Sequence, residues 1–135
     1  MTNHRAVNEV LQHLDSLDGR PVEIEGVLSS ESEGYQLLHY PKAERRTPFA
    51  VDDHTYEPAV WIASGDGSMH LNASVLHRWV GKRVRVHGIL TSYFSLAPVG
   101  ALGRGGFGPW GFWPVQVEPY SVQRITSEER MQHDV

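Results

Sequence analysis

Two segments of this chain follow one pattern: LDGRPVEIEGVLSS at 17–30 aligns without gaps with WVGKRVRVHGILTS at 79–92. Each contains a glycine-led turn, a basic residue, alternating β-branched residues, a glycine inside the alternation and an apolar pair. Alternation with a period of two is typical of a half-buried β-strand, and a glycine within a strand marks a bulge or a sharp bend. Because the pattern occurs only twice, it predicts two long, bent strands with the same role rather than a repeat protein.

Three further strands and two helices complete the predicted order. An apolar stripe at helical spacing precedes the first long strand and ends at the Asp18-Gly19 turn, which predicts a short amphipathic helix. The stretch 65–82 predicts a turn followed by a second helix, which stops at Gly81. The stripe consists of Val7, Val10, Leu11, Leu14 and Leu17, and the further strands are YQLLH at 35–39, AVWIA at 59–63 and WPVQVEPYSVQRI at 113–125.

This order of elements resembles the OB-fold, the oligonucleotide/oligosaccharide-binding fold, over roughly residues 19–125. The resemblance rests on the order β-β-β-α-β-β and on the paired motifs GRPVEIEGVL and GKRVRVHGIL. It implies a mainly β protein: a five-stranded Greek-key OB-fold barrel with an N-terminal helix and a helix between strands three and four. It also implies that strands one and four are antiparallel neighbours. An open α+β sheet with two helices packed on one face is the alternative.

The length of 135 residues predicts one domain with a single core. Residues 1–18 are expected to form the amphipathic helix that packs on the barrel, residues 19–126 the barrel itself, and residues 127–135 a flexible C-terminal tail.

The composition excludes several classes of function. The chain has no cysteine, which removes disulfides, zinc–thiolate sites and thiol nucleophiles. Its N-terminus is amphipathic rather than uniformly apolar, and no apolar run is long enough to span a membrane. A cytoplasmic protein that does not enter the membrane is therefore expected. The formal net charge of −4 argues mildly against nucleic-acid binding driven by charge alone.

The segment GRGGFGPWGFWP at 103–114 contains the pattern G-x-G-x-x-G. A dinucleotide-binding fingerprint needs a helix that opens inside it, and Pro109 and Pro114 prevent one, so the match is interpreted as accidental. Two interpretations remain. The segment is an aromatic patch on which bases stack, with Arg104 and Trp110 as contacts, or its rings plug one end of the barrel. The second is favoured, because so many bulky rings left in water would form an unusual patch.

Candidate ligand-binding residues lie between strands two and three. The OB-fold resemblance implies that these strands and the neighbouring connections form the ligand face. Aromatic rings that stack on bases and cations that hold phosphates are what a single-stranded nucleic acid requires. The predicted stacking residues are Tyr40 and Trp61, and the predicted phosphate ligands are Lys42, Arg45 and Arg46. The alternative is a solvated loop in which Glu44 offsets one charge.

A second basic run, KRVR at 82–85, has a structural interpretation. If strands one and four share a face, Glu23 and Glu25 lie beside Arg83, Arg85 and His87. Opposite charges across an antiparallel pair contribute about 0.2–1 kcal/mol each. A ladder of ion pairs is therefore preferred to a ligand site here.

No constellation of catalytic residues is evident: the chain has no nucleophile elbow and no H-E-x-x-H motif. Its eight histidines show no zinc-site spacing and are expected to be ordinary surface residues. No metal, cofactor or enzymatic activity is therefore predicted.

Two functions from different classes remain. The first is a small OB-fold module that binds single-stranded nucleic acid weakly or serves as an accessory in an assembly. The second is a protein–protein or self-association module, such as a homodimer, that has the same fold and no nucleic-acid role.

Overall fold

The computed structural model describes residues 4–31, 34–51, 54–63, 73–94, 107 and 111–125. The strands in these ranges are β1 (His4–Ala6), β2 (Pro21–Glu31), β3 (Gly34–Leu38), β4 (Phe49–Val51), β5 (His54–Tyr56), β6 (Val60–Ile62), β7 (Arg83–Ser92) and β8 (Val115–Arg124). The helices are α1 (Val7–Gln12), α2 (Leu14–Leu17) and α3 (Ala73–Trp79).

Five strands close a barrel in the order β2-β3-β6-β8-β7, because β7 pairs back onto β2. β6 and β8 run parallel, and the other neighbours run antiparallel. The two long strands predicted from the repeated pattern, β2 and β7, are thus antiparallel neighbours. Along the chain, α3 lies between β6 and β7, which are the third and fourth barrel strands in sequence order. The expected five-stranded Greek-key architecture is confirmed, and the barrel is compatible with an OB-like fold.

The alternating residues of the long strands fill the barrel. Side chains at every second position of β2 and β7 point inward and are buried, as the period of two requires. Apolar residues of α1 and α2 join the same core, which explains the predicted helical stripe. The contributing residues are Val22, Ile24 and Leu28 from β2, Val84, Val86 and Leu90 from β7, and Val7, Val10, Leu14 and Leu17 from the helices.

The N-terminal segment departs from the single helix expected over 1–18. His4–Ala6 is a strand that pairs in parallel with β2, and the helix that follows is divided into α1 and α2 at His13. His4 Nε2 lies 2.6 Å from the Glu25 carboxylate, so the strand is held by a residue of β2. A local apolar pattern does not reveal such a strand, because its partner is distant in the sequence.

A second, two-stranded sheet consists of β4 and β5, which the sequence analysis did not anticipate. Phe49 and Tyr56 pair across it, with ring centroids 5.9 Å apart. Tyr56 is buried and also contacts Tyr93 just after β7, at 5.3 Å between ring centroids. Strands of three residues are too short to show an alternating pattern, so the sequence did not predict this hairpin. The aromatic contacts pack it against the end of β7.

Several predicted features lie outside the described residues. They are the first part of the second helix, the ligand candidates Arg104 and Trp110, and the tail at 127–135. In the ranges given above, no helix is long and apolar enough to cross a membrane.

The two mid-strand glycines lie where another backbone approaches closely. A Cβ on Gly26 would be 2.7 Å from the Leu38 carbonyl oxygen. A Cβ on Gly88 would overlap the Glu118 carbonyl oxygen and lie 2.8 Å from the Cα of Pro119. The register of β7 against β8 shifts beside Gly88, so this glycine marks a bulge, as predicted.

Gly88→Ala is expected to lower the free energy of unfolding by about 3 kcal/mol, because the backbone of β8 must move to admit the methyl group. Gly81→Ala is the control: Gly81 has a φ of 86° and open space around it, so only backbone strain of about 1 kcal/mol applies. Urea unfolding measures both values. Equal losses in the two variants would contradict the close approach at the bulge.

Candidate functional site

The outer face of β3 and β6 is the surface that the OB-fold resemblance implies for ligands. Gln36 and Trp61 pair across it. Both side chains lie opposite the core, because their neighbours Leu37 and Val60 point inward and are fully buried. A Cβ on Gly34 would be 2.5 Å from the Trp61 ring, so the indole packs directly against the backbone of β3.

Trp113 covers this outer face. Its indole Nε1 donates a 2.9 Å hydrogen bond to Gln36 Oε1, and its ring centroid lies 4.6 Å from that of Trp61. Two backbone hydrogen bonds with Phe107 hold the segment in place, and Trp113 is only 4% exposed. Trp113 is thus buried, as the sequence analysis favoured, but it packs on the barrel wall rather than in the barrel end. Trp61, predicted to stack on bases, lies against Trp113 instead.

The basic loop after β3 is docked onto α1 through His39. This histidine is buried, unlike the surface histidines expected from the sequence, and its Nδ1 accepts a 3.1 Å hydrogen bond from the Asn8 backbone N–H. Asn8 Nδ2 donates to the Glu44 carbonyl oxygen at 2.8 Å. Arg45 Nε donates to the His39 carbonyl oxygen at 2.8 Å. Arg45, predicted to hold phosphate, therefore helps to fix the loop.

Tyr40, Lys42 and Arg46 are the predicted ligand residues that remain exposed on this loop. Tyr40 is 40% exposed, and the Arg83 Cζ lies 4.2 Å from the centroid of its ring. That distance is within the range of a cation–π interaction. This contact joins the loop to β7. From the sequence, Arg83 was expected only to form an ion pair, and its contact with Tyr40 was not predicted.

Glu25 contacts His4 and the two arginines next to Tyr40. Its carboxylate lies 2.6 Å from His4 Nε2 and 3.4 Å from one Nη2 atom each of Arg83 and Arg85. The predicted pairing of β2 with β7 is present, with Glu25 opposite Arg85 and Glu23 opposite His87. The charge contacts are not spread along a ladder, however, but converge on Glu25, which is 8% exposed.

A cavity of about 200 Å³ adjoins this cluster and is lined by His4, Ala6, Glu25, Tyr40 and Arg83. It offers an aromatic ring, a guanidinium donor and a carboxylate acceptor side by side. Its volume is below the roughly 300–1,000 Å³ typical of sites that enclose a whole small molecule. The cavity therefore suits one group of a larger ligand rather than a complete one.

A search of solved structures finds a distant likeness to a DUF3299 family protein from Pseudomonas aeruginosa PAO1. The likeness covers 82% of this chain and 64% of that protein, with 13% sequence identity and a TM-score of 0.45. This chain therefore spans less than two thirds of that protein's length, and a likeness this distant carries no argument about function. A scan against models of known families finds no match, and a search of curated proteins finds no significant match.

Glu25→Gln is expected to lower the free energy of unfolding by about 2–3 kcal/mol, because Arg83 and Arg85 lose a mostly buried counter-charge. Glu23→Gln, on the same outer side of β2, is the matched control and should cost less than about 0.5 kcal/mol. Thermal or urea unfolding compares the two variants. A similar loss in both would show that the network does not depend on Glu25.

Gln36→Leu is expected to cost about 1–3 kcal/mol of stability, because the buried indole N–H of Trp113 loses its acceptor. Trp113→Phe removes the donor, so the double variant should lose less than the sum of the single variants. Urea unfolding of the wild type, the two single variants and the double variant gives the coupling energy between Gln36 and Trp113. Strict additivity would mean that the hydrogen bond does not couple Trp113 to β3.

Proposed function

We propose that this chain is a binding module of the OB-fold type, not an enzyme, and that it binds single-stranded nucleic acid weakly through Tyr40 and the cations around it. The observation that carries the proposal is the exposed Tyr40 ring, with Arg83 packed on it and Lys42 and Arg46 on the same loop. Exposed rings stack on bases of any sequence, and nearby cations hold the phosphate backbone.

The local charge supports this assignment despite the formal net charge of −4. Two guanidinium groups, of Arg83 and Arg85, share the single carboxylate of Glu25. Within the described part of the chain, the buried Nε atoms of both arginines also lack a hydrogen-bond partner. Unsatisfied buried donors are rare in proteins and tend to mark places shaped by function rather than stability. A small positive surface on an acidic protein is expected to bind a nucleic acid weakly and in a salt-sensitive manner.

The position of Trp113 explains why the binding surface in this proposal is not the outer face of β3 and β6. A base that stacked on Trp61 would have to displace the Trp113 ring and break its hydrogen bond with Gln36. Tyr40 requires no such displacement, because its ring is already exposed. Trp61 therefore has a packing role in this proposal, and Tyr40 is the stacking residue.

A protein–protein or self-association module is the second candidate, favoured by two other exposed rings. Phe94 and Phe112 lie exposed near the two ends of the connection between β7 and β8. Exposed rings of this kind are enriched at protein interfaces. A mass that rises with concentration in sedimentation, and that Phe112→Ala prevents, would support this candidate. A strict monomer without a protein partner would contradict it.

Binding of a fluorescently labelled oligothymidylate, followed by anisotropy at increasing salt, tests the first candidate. Tyr40→Ala should weaken binding about tenfold, because a stacked base contributes about 1–3 kcal/mol. Arg46→Ala should reduce the slope of log K against log salt by about 0.7, the value for one phosphate contact on a single strand. Arg78→Ala, an exposed cation on α3, is the control and should change neither quantity. Absence of binding at low salt, or binding without a salt slope, would contradict the proposal.

A further inference from the structure

We infer that the bound strand runs along the outer face of β7, from Tyr40 at one end to Tyr120 at the other. This inference rests on the proposed function and adds to it a second aromatic contact, a path between the two rings and a minimum ligand length. Nothing in the sequence analysis pointed to Tyr120, which sits in the last strand outside every motif considered.

Alternation places Arg83, Arg85 and His87 in one outward row on β7, because Val84 and Val86 between them are buried. Strand residues advance about 3.3 Å each, so the row is roughly 13 Å long from the first to the last of these residues. Tyr40 packs on Arg83 at one end of the row.

The bulge between β7 and β8 places Tyr120 at the other end. His87 pairs with Ser121 and Gly88 with Pro119, so Tyr120 is the extra residue of β8. Its ring is 45% exposed, and its centroid lies 5.6 Å from that of His87 in an edge-on arrangement. Bulges redirect side chains in this way and are common beside functional sites. Gly88 permits the bulge, because any Cβ there would meet the backbone of β8.

Arg83 and Arg85 are the cations of the row, and 22% and 15% of their side chains are exposed. Arg83 and Arg85 each direct one Nη2 atom to Glu25 at 3.4 Å, and a guanidinium carries further N–H donors. Glu25 is buried, contacts both guanidinium groups and lines the cavity beside Tyr40, so it offsets part of their charge at that end of the row. Glu23, half-buried opposite His87, is the acidic neighbour at the Tyr120 end. Glu118, exposed on β8 opposite Ile89, is a further acidic neighbour at that end. The arginines therefore lie on the Tyr40 side of the row, and a phosphate backbone would contact the row mainly there.

The length of the row sets the length of ligand that contacts both rings. A stacked strand rises about 3.4 Å per nucleotide along its axis, so the row of roughly 13 Å corresponds to about four such steps. A dinucleotide can contact Tyr40 or Tyr120 but not both, whereas an oligonucleotide of eight residues spans the row.

Competition of unlabelled oligothymidylates against a labelled octamer tests this inference at low salt. The wild-type protein should bind the octamer about tenfold more tightly than the dimer, beyond the statistical gain from additional sites. Tyr120→Ala should bind the octamer about tenfold more weakly and lose most of this length dependence. Tyr120→Phe should retain wild-type binding, since it keeps the ring. Phe112→Ala, an exposed ring outside the row, is the control and should also bind as the wild type does.

The outcomes separate this inference from the proposed function. Wild-type octamer binding by Tyr120→Ala, together with weakened binding by Tyr40→Ala, would overturn the second contact and leave the proposed function standing. An equal loss in Phe112→Ala would also overturn the inference, because the effect would not be specific to the row. Failure of the wild-type protein to bind any oligothymidylate would overturn the proposed function and the inference together. Circular dichroism confirms that each variant is folded.

Discussion

The antiparallel pairing of β2 with β7 is the constraint on which the rest of the structure depends. The register that joins Pro21–Val27 to Arg83–Ile89 closes the barrel. On the inner side it stacks the valine and isoleucine residues of the core, and on the outer side it brings Glu25 between Arg83 and Arg85. A slip of one residue would exchange the two faces of a strand and lose both arrangements, so the hydrophobic core also determines where the charged surface forms.

Aromatic residues divide the outside of this barrel into a covered face and an open one. Trp113 closes the outer face of β3 and β6 by packing on Trp61 and binding Gln36. On the outer face of β7, Tyr40 packs on a guanidinium and Tyr120 stands at a bulge, and both rings remain exposed. The ligand surface proposed here is therefore separate from the face that the OB-fold resemblance implies, because Trp113 covers that face and β2 and β8 lie between it and β7.

The two long strands could be predicted from the sequence because alternation and mid-strand glycines are local signals, whereas their place in a barrel came from the OB-fold resemblance. The antiparallel pairing of these two strands, which that resemblance implied, is present, with Glu25 opposite Arg85. Residues fixed by distant partners could not be predicted in this way. His4–Ala6 pairs with β2, Trp61 packs against Trp113, and Tyr120 lies at a shift in the register of β7 and β8.

A titration of the ¹⁵N-labelled protein with an oligothymidylate, followed by amide and indole NMR signals, tests the location of the binding surface most directly. The account predicts shifts in the backbone amides of Tyr40, Arg83–His87 and Tyr120, and none in the indole N–H of Trp113, whose hydrogen bond to Gln36 stays intact. Shifts centred on Gln36 and on the indoles of Trp61 and Trp113, with the β7 amides unchanged, would contradict it.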